Sequence, residues 1–206
     1  MEQFRKNYID RKLGEVYAKS KTDTCFQIIE NFDELIKEFD GDRLIENEDI
    51  CYFYRKLFEC VVAINKVDVV EKMEEKLVKN FNSRVPKDSK ENPFFNPTID
   101  VLILSALFFR DRADFIISDR LFEKAIKHGE KYLDDSKKNY HDSLLCAYAW
   151  MVSINYEDKD YKSCIKNAKR ALELYESVKD LDGFYYKEYD PNVIYGYLLD
   201  AKAKLG

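Results

Sequence analysis

The chain is short of the residues that interrupt helices. Six glycines and four prolines are few for 206 residues, and turn-rich β-sandwiches or barrels need more of both. The glycines are also scattered. Neither GxGxxG nor GxxxxGK[ST] occurs, so the usual nucleotide and phosphate loops are missing. A basic excess is lacking too: 34 Lys and Arg stand against 39 Asp and Glu, a formal net charge of −5. Nucleic-acid binders draw much of their affinity from phosphate neutralisation, so a direct nucleic-acid partner is disfavoured. No long hydrophobic run is present. The longest, Ile99 to Phe109, is interrupted by Asp100 and Ser105 and falls short of the ~20 residues that span a bilayer. No membrane role is expected.

The five cysteines, Cys25, Cys51, Cys60, Cys146 and Cys164, form no CxxC pair. Neither a disulfide framework nor a short-spaced zinc site fits that pattern. They read as reduced, buried, small hydrophobes. The opening Met-Glu-Gln-Phe-Arg-Lys-Asn lacks the apolar core of a signal peptide. The cytoplasm is the expected location.

What remains is helical periodicity in a chain with 35% charged residues. Val69, Val70, Met73, Leu77 and Phe81 share one stripe. Tyr161, Cys164, Ile165, Ala168, Ala171, Leu172 and Tyr175 recur at i, i+3, i+4, i+7. Opposite them lie Lys162, Lys166, Lys169 and Arg170, a solvated face or a contact for RNA or an acidic protein. The pattern predicts an all-α fold of about nine helices, near 2–19, 23–39, 47–65, 68–82, 97–117, 119–134, 140–157, 160–179 and 191–204. Short links at 65–67, near Ser118 and at 158–159 force antiparallel hairpins. The longest break, 83–97, holds three of the four prolines. It reads as a surface loop within one domain spanning 1–206, since the first ~82 residues would make a marginal core alone. A terminal capping helix is expected near 191–204.

The segment Tyr148 to Leu174, YAWMVSINYEDKDYKSCIKNAKRALEL, carries a resemblance. An aromatic opens its first helix, Lys159-Asp160-Tyr161 forms the turn, and small Cys164, Ala168 and Ala171 follow. This resembles a tetratricopeptide repeat (TPR), whose helix crossings need small residues. Phe122, Ala125, Ile126, Gly129 and Leu133 resemble the second helix of another unit. The departures are Val152 at a usually small position, Lys159 at the turn glycine, and a spacing of 39 residues from Ala125 to Cys164 against a family period of about 34. The resemblance implies a right-handed TPR-like superhelix whose first helices line a concave binding surface.

Catalysis finds little support. The two histidines, His128 and His141, stand beside no local nucleophile. Arg120, the nearest arginine before His128, lies eight residues ahead of it, outside the Arg-x4–6-His spacing of a helical ribonuclease. Asp158-Lys159-Asp160 and Asp180-Leu181-Asp182-Gly183 do not continue into calcium loops. No cofactor and no metal is expected, and the chain reads as no enzyme. The acidic stretch 33–49 reads as a solvated helix end or a lure for a basic partner.

The first-helix positions that face the concavity in the implied superhelix are Ala149, Ser153 and Tyr156, with Arg110 and Asp114 in the preceding hairpin. Arg110 ends an apolar run, where a charge needs water or a partner; a simple i, i+4 pair with Asp114 would serve equally. Phe184-Tyr185-Tyr186 opens an aromatic cluster suited to a protein interface or to packing under the last helix. The expected function is a scaffold or adaptor binding a protein or peptide through Arg110, Asp114, Ser153, Tyr156, Tyr185 and Tyr186. A regulatory sensor for a small peptide or ligand, or a subunit of a larger enzyme or nuclease, are the alternatives.

Overall fold

A computed structural model describes residues 65–84, 95–133, 141–179 and 190–206, with the single positions 7, 11, 58, 61 and 62. The described residues form six helices: α1 (Val67–Arg84), α2 (Phe95–Arg110), α3 (Phe115–Tyr132), α4 (His141–Glu157), α5 (Tyr161–Val178) and α6 (Pro191–Leu205). No strand occurs among them, so the all-α reading stands. The helices expected over 2–19 and 23–39, most of 47–65, and the aromatics Tyr185 and Tyr186 lie outside the described residues. Of the break expected at 83–97, residues 85–94 lie outside the described residues; α1 runs through Arg84 and α2 begins at Phe95, so Pro97 sits in the first turn of α2, where its missing N–H costs nothing.

Each helix buries the stripe its sequence marks. On α1, Val69, Val70, Met73 and Leu77 are fully buried. On α5, so are Cys164, Ala168 and Ala171. Both α2 and α4 are apolar nearly all round, and their packing explains it. α2 touches α1, α3 and α4; α4 touches α2, α3, α5 and α6. The pairs α2/α3 and α4/α5 are hairpins, and α6 packs on both α5 and α4. Along the chain α2, α4 and α6 therefore follow one another on one side, with α3 and α5 behind them. Side chains such as Phe122, wholly buried, each contribute about 1.5–3 kcal/mol through burial. Cys146 and Cys164 are buried and form no disulfide.

The first break differs from its expected place. Ser118 is buried inside α3, and the turn falls at 111–114. Two bonds close α2: Asp114 N–H donates to Phe109 O (3.0 Å) and Ala113 N–H to Arg110 O (2.9 Å). Ala113 is left-handed at φ 59°, as this helix-ending arrangement requires. Asp114 then caps α3 by accepting from Ile117 N–H (3.3 Å). The same device recurs at α4/α5, where Lys159 has φ 61° and Asp160 accepts from Ser163 N–H (3.2 Å). Before α1, Asn65 has φ 64°. A left-handed residue thus marks all three tight links. Sequence periodicity missed the first because alanine carries no turn signal.

Candidate functional site

The loops fix the ends of α2 and α4, and these ends bring the candidate residues together. Arg110, at the last position of α2, donates to Glu157 Oε2 on α4 at 2.7 Å and lies 3.9 Å from Asp119 Oδ1 on α3. Its guanidinium also sits over the Phe115 ring, 5.3 Å from the centroid. Burial of an arginine costs free energy unless its donors are matched. Here the side chain is 19% exposed, and two carboxylates answer it. The alternative pairing with Asp114 is not the one formed: Asp114 is the α3 cap.

From Glu157 the arrangement continues onto α6. Ser153 Oγ donates to Glu157 Oε1 (3.4 Å) and lies 3.4 Å from the Tyr197 hydroxyl. Tyr156 donates its hydroxyl proton to Asp200. Its ring packs against Tyr197 at 5.0 Å and Tyr161 at 5.8 Å between centroids. Arg110, Ser153 and Tyr156 therefore belong to one continuous strip across α2, α4 and α6. Ala149 is half-buried against the core.

Electrostatics follow from these contacts. The Asp200 carboxylate bound to it, with some burial, pushes the Tyr156 hydroxyl up to about 12. Asp119 is pushed above the ordinary carboxylate range, first by burial and then by the neighbouring Asp158 charge, with Arg110 opposing. The strip thus presents fixed hydroxyls, two tyrosine rings and an acid-rich end around one arginine. Such rings give large contact area at low entropic cost.

A second network lies behind it. Arg170 of α5 grips Glu130 of α3 with Nε to Oε1 at 2.8 Å and a terminal nitrogen to Oε2 at 2.9 Å. Tyr148 of α4 donates to Glu130 Oε1 at 2.7 Å. The Arg170 hydrogen bond holds Glu130 below its ordinary value. Arg170 is thereby committed to tying three helices together, whereas Lys162, Lys166 and Lys169 are exposed. Among the described residues, no group of three or more His, Cys, Asp or Glu is arranged to hold a metal. No helix among them is long and apolar enough to cross a membrane.

Sequence reasoning missed Glu157, Tyr197 and Asp200. One signal was available. Ser153 and Tyr156 are spaced as Tyr197 and Asp200 are, and each pair of contacting residues lies 44 apart.

Fold and strip together define a class, an all-α stack of helical hairpins with a polar, aromatic face on its first helices. No protein-family model, no curated protein and no solved structure matches the chain.

Proposed function

We propose that this chain is a non-catalytic scaffold or adaptor in the cytoplasm, built as a TPR-like right-handed superhelix. It binds a partner protein or peptide on the α2/α4/α6 face. The observation that carries the reading is the strip itself. Arg110, Ser153, Tyr156, Glu157, Tyr197 and Asp200 come from three successive first helices and share one surface. The left-handed Lys159 supports the resemblance. It sits where the TPR pattern places a turn glycine, and it adopts a conformation glycine adopts freely.

Affinity capture from the native cell, with mass spectrometry, names the partner. Amide hydrogen exchange on the complex then locates it. Added protection at the end of α2, the second half of α4 and α6 is the expected result. Protection confined to segments away from these three helices refutes the reading.

A further inference from the structure

We propose that the outer face of α3 and α5 is a docking surface for a short acidic segment, rich in Asp and Glu, of a partner protein. This surface lies behind the α2/α4/α6 strip and does not depend on it. On α3, Arg120, Lys127 and Lys131 recur at helical spacing, opposite the buried Leu121, Phe122, Ala125 and Gly129. On α5, Lys162, Lys166 and Lys169 do the same, opposite the buried Cys164, Ala168 and Ala171. All six cations are exposed.

The fold joins the two rows. Helix α4 runs antiparallel to both. Phe122 stacks on Trp150 and Gly129 lies against Leu144, so residue numbers fall on α4 as they rise on α3. The tight link at 158–160 then turns α5 back again. Helices α3 and α5 are therefore parallel, and the Arg170–Glu130 pair bridges them. Glu130 leaves α3 on one flank of its basic row, and Arg170 leaves α5 on the opposite flank of its own. Both rows thus point outward from that bridge, side by side.

The charge of this face is unanswered. Among the described residues, Arg120, Lys127, Lys162, Lys166 and Lys169 form no ion pair. Lys131 donates to the Tyr132 hydroxyl at 2.8 Å, a neutral partner that leaves its charge intact. The acids beside the rows are Glu123 and Glu173, and Arg170 already draws Glu173 to 3.5 Å. The His128 imidazole registers the local field: after burial, the Lys131 and Lys124 charges lower it to about 4. The chain as a whole carries −5, so this face reverses the sign of the molecule.

The extent of the face selects its occupant. From Lys162 to Lys169, α5 rises about 10 Å, and from Arg120 to Lys131, α3 rises about 16 Å. Acids close the α5 row at both ends, Asp158 and Asp160 before it, Glu173 and Glu176 after it. Screening confines the attraction to about 8 Å at physiological salt, so a ligand must sit within the rows to feel them. An acidic segment of about three helical turns, or about five extended residues, has that length. A nucleic acid runs on past the acids at both ends, and the rows offer no aromatic ring on which bases stack.

Fluorescence anisotropy of the full chain with a labelled oligoglutamate peptide, about 20 Å when extended, tests this. Binding is expected at low salt, weakening as salt rises. Arg120→Glu with Lys127→Glu on α3, and Lys166→Glu with Lys169→Glu on α5, should each weaken it about tenfold. Lys202→Glu with Lys204→Glu on α6 makes the same change in net charge elsewhere and should alter it less than about twofold. All of these positions are exposed, and circular dichroism checks that each variant is folded. No binding at low salt, a loss confined to one of the two helices, or an equal loss in the α6 variant overturns the proposal. So does tighter binding of a single-stranded RNA of equal charge, since the face would then serve a nucleic acid.

Discussion

Two glycines, each inside a helix, should respond to the same substitution with opposite signs. Replacing glycine by alanine in a helix interior favours folding by about 0.5–1 kcal/mol. At Gly196 nothing among the described residues opposes that gain, because none of their atoms beyond its own stretch of helix lies within 4 Å of the new Cβ. At Gly129 the new Cβ lands 2.6 Å from Leu144 Cδ1 and 3.2 Å from Ile99 Cδ1. Leu144 and Ile99 are both wholly buried, so neither side chain can swing into water to relieve the clash. Overpacking of this kind costs about 1–3 kcal/mol. The net for Gly129→Ala is a loss of about 0–2.5 kcal/mol. The difference between the two variants removes the propensity contribution and isolates the packing cost, about 1–3 kcal/mol. Urea unfolding measures it, with slopes checked for constancy. In melting temperature each kcal/mol is about 2–4 °C for a chain of this size. A Gly129→Ala protein as stable as Gly196→Ala would show that α3 and α4 do not cross closely at this point.

Three further outcomes follow from the same geometry. Lys159→Gly and Ala113→Gly should each stabilise the chain by up to about 1 kcal/mol, since a left-handed residue with a Cβ costs about 1–2 kcal/mol and glycine returns part of that through its freer unfolded state; destabilisation in urea would show the turns are not left-handed. Ala168→Leu, on the fully buried α5 stripe, should cost about 1–3 kcal/mol, and an unchanged melting point would place the residue at the surface. Burial, then the Lys131 and Lys124 charges, lower His128 to about 4 from its ordinary 6.5. The folded state therefore keeps the imidazole neutral while the unfolded chain protonates, so stability present above pH 6.5 is lost as pH falls toward 4. Relative to His128→Gln, the wild type should lose about 1–3 kcal/mol across that window; parallel pH profiles for the two proteins would contradict the burial.

Most of the helical architecture in the described residues was legible from period alone. The buried stripes of α1 and α5 stand where spacing put them, with Asp160 and Asp190 capping α5 and α6. The α2/α3 break was not legible, because an apolar run continued through it and the turn rests on a left-handed alanine. At the candidate site, Arg110 was conspicuous as a charge ending an apolar run. Its partner Glu157 was not, being 47 residues away. Asp114 was expected on the binding face, and its capping of α3 was not foreseen. Long-range pairing depends on how far successive hairpins advance, and residue spacing along the chain does not display that advance.

The central claim is that a partner docks on the strip across α2, α4 and α6. Titration calorimetry of the captured partner against the wild type, Arg110→Ala and Tyr156→Ala tests it most directly. Both side chains also hold helices together, so circular dichroism must first show each variant folded. Interface anchors lose about 1–3 kcal/mol on truncation, and a loss of affinity of that size in each variant is the expected result. Wild-type affinity in both would contradict the claim and turn attention to Tyr185 and Tyr186.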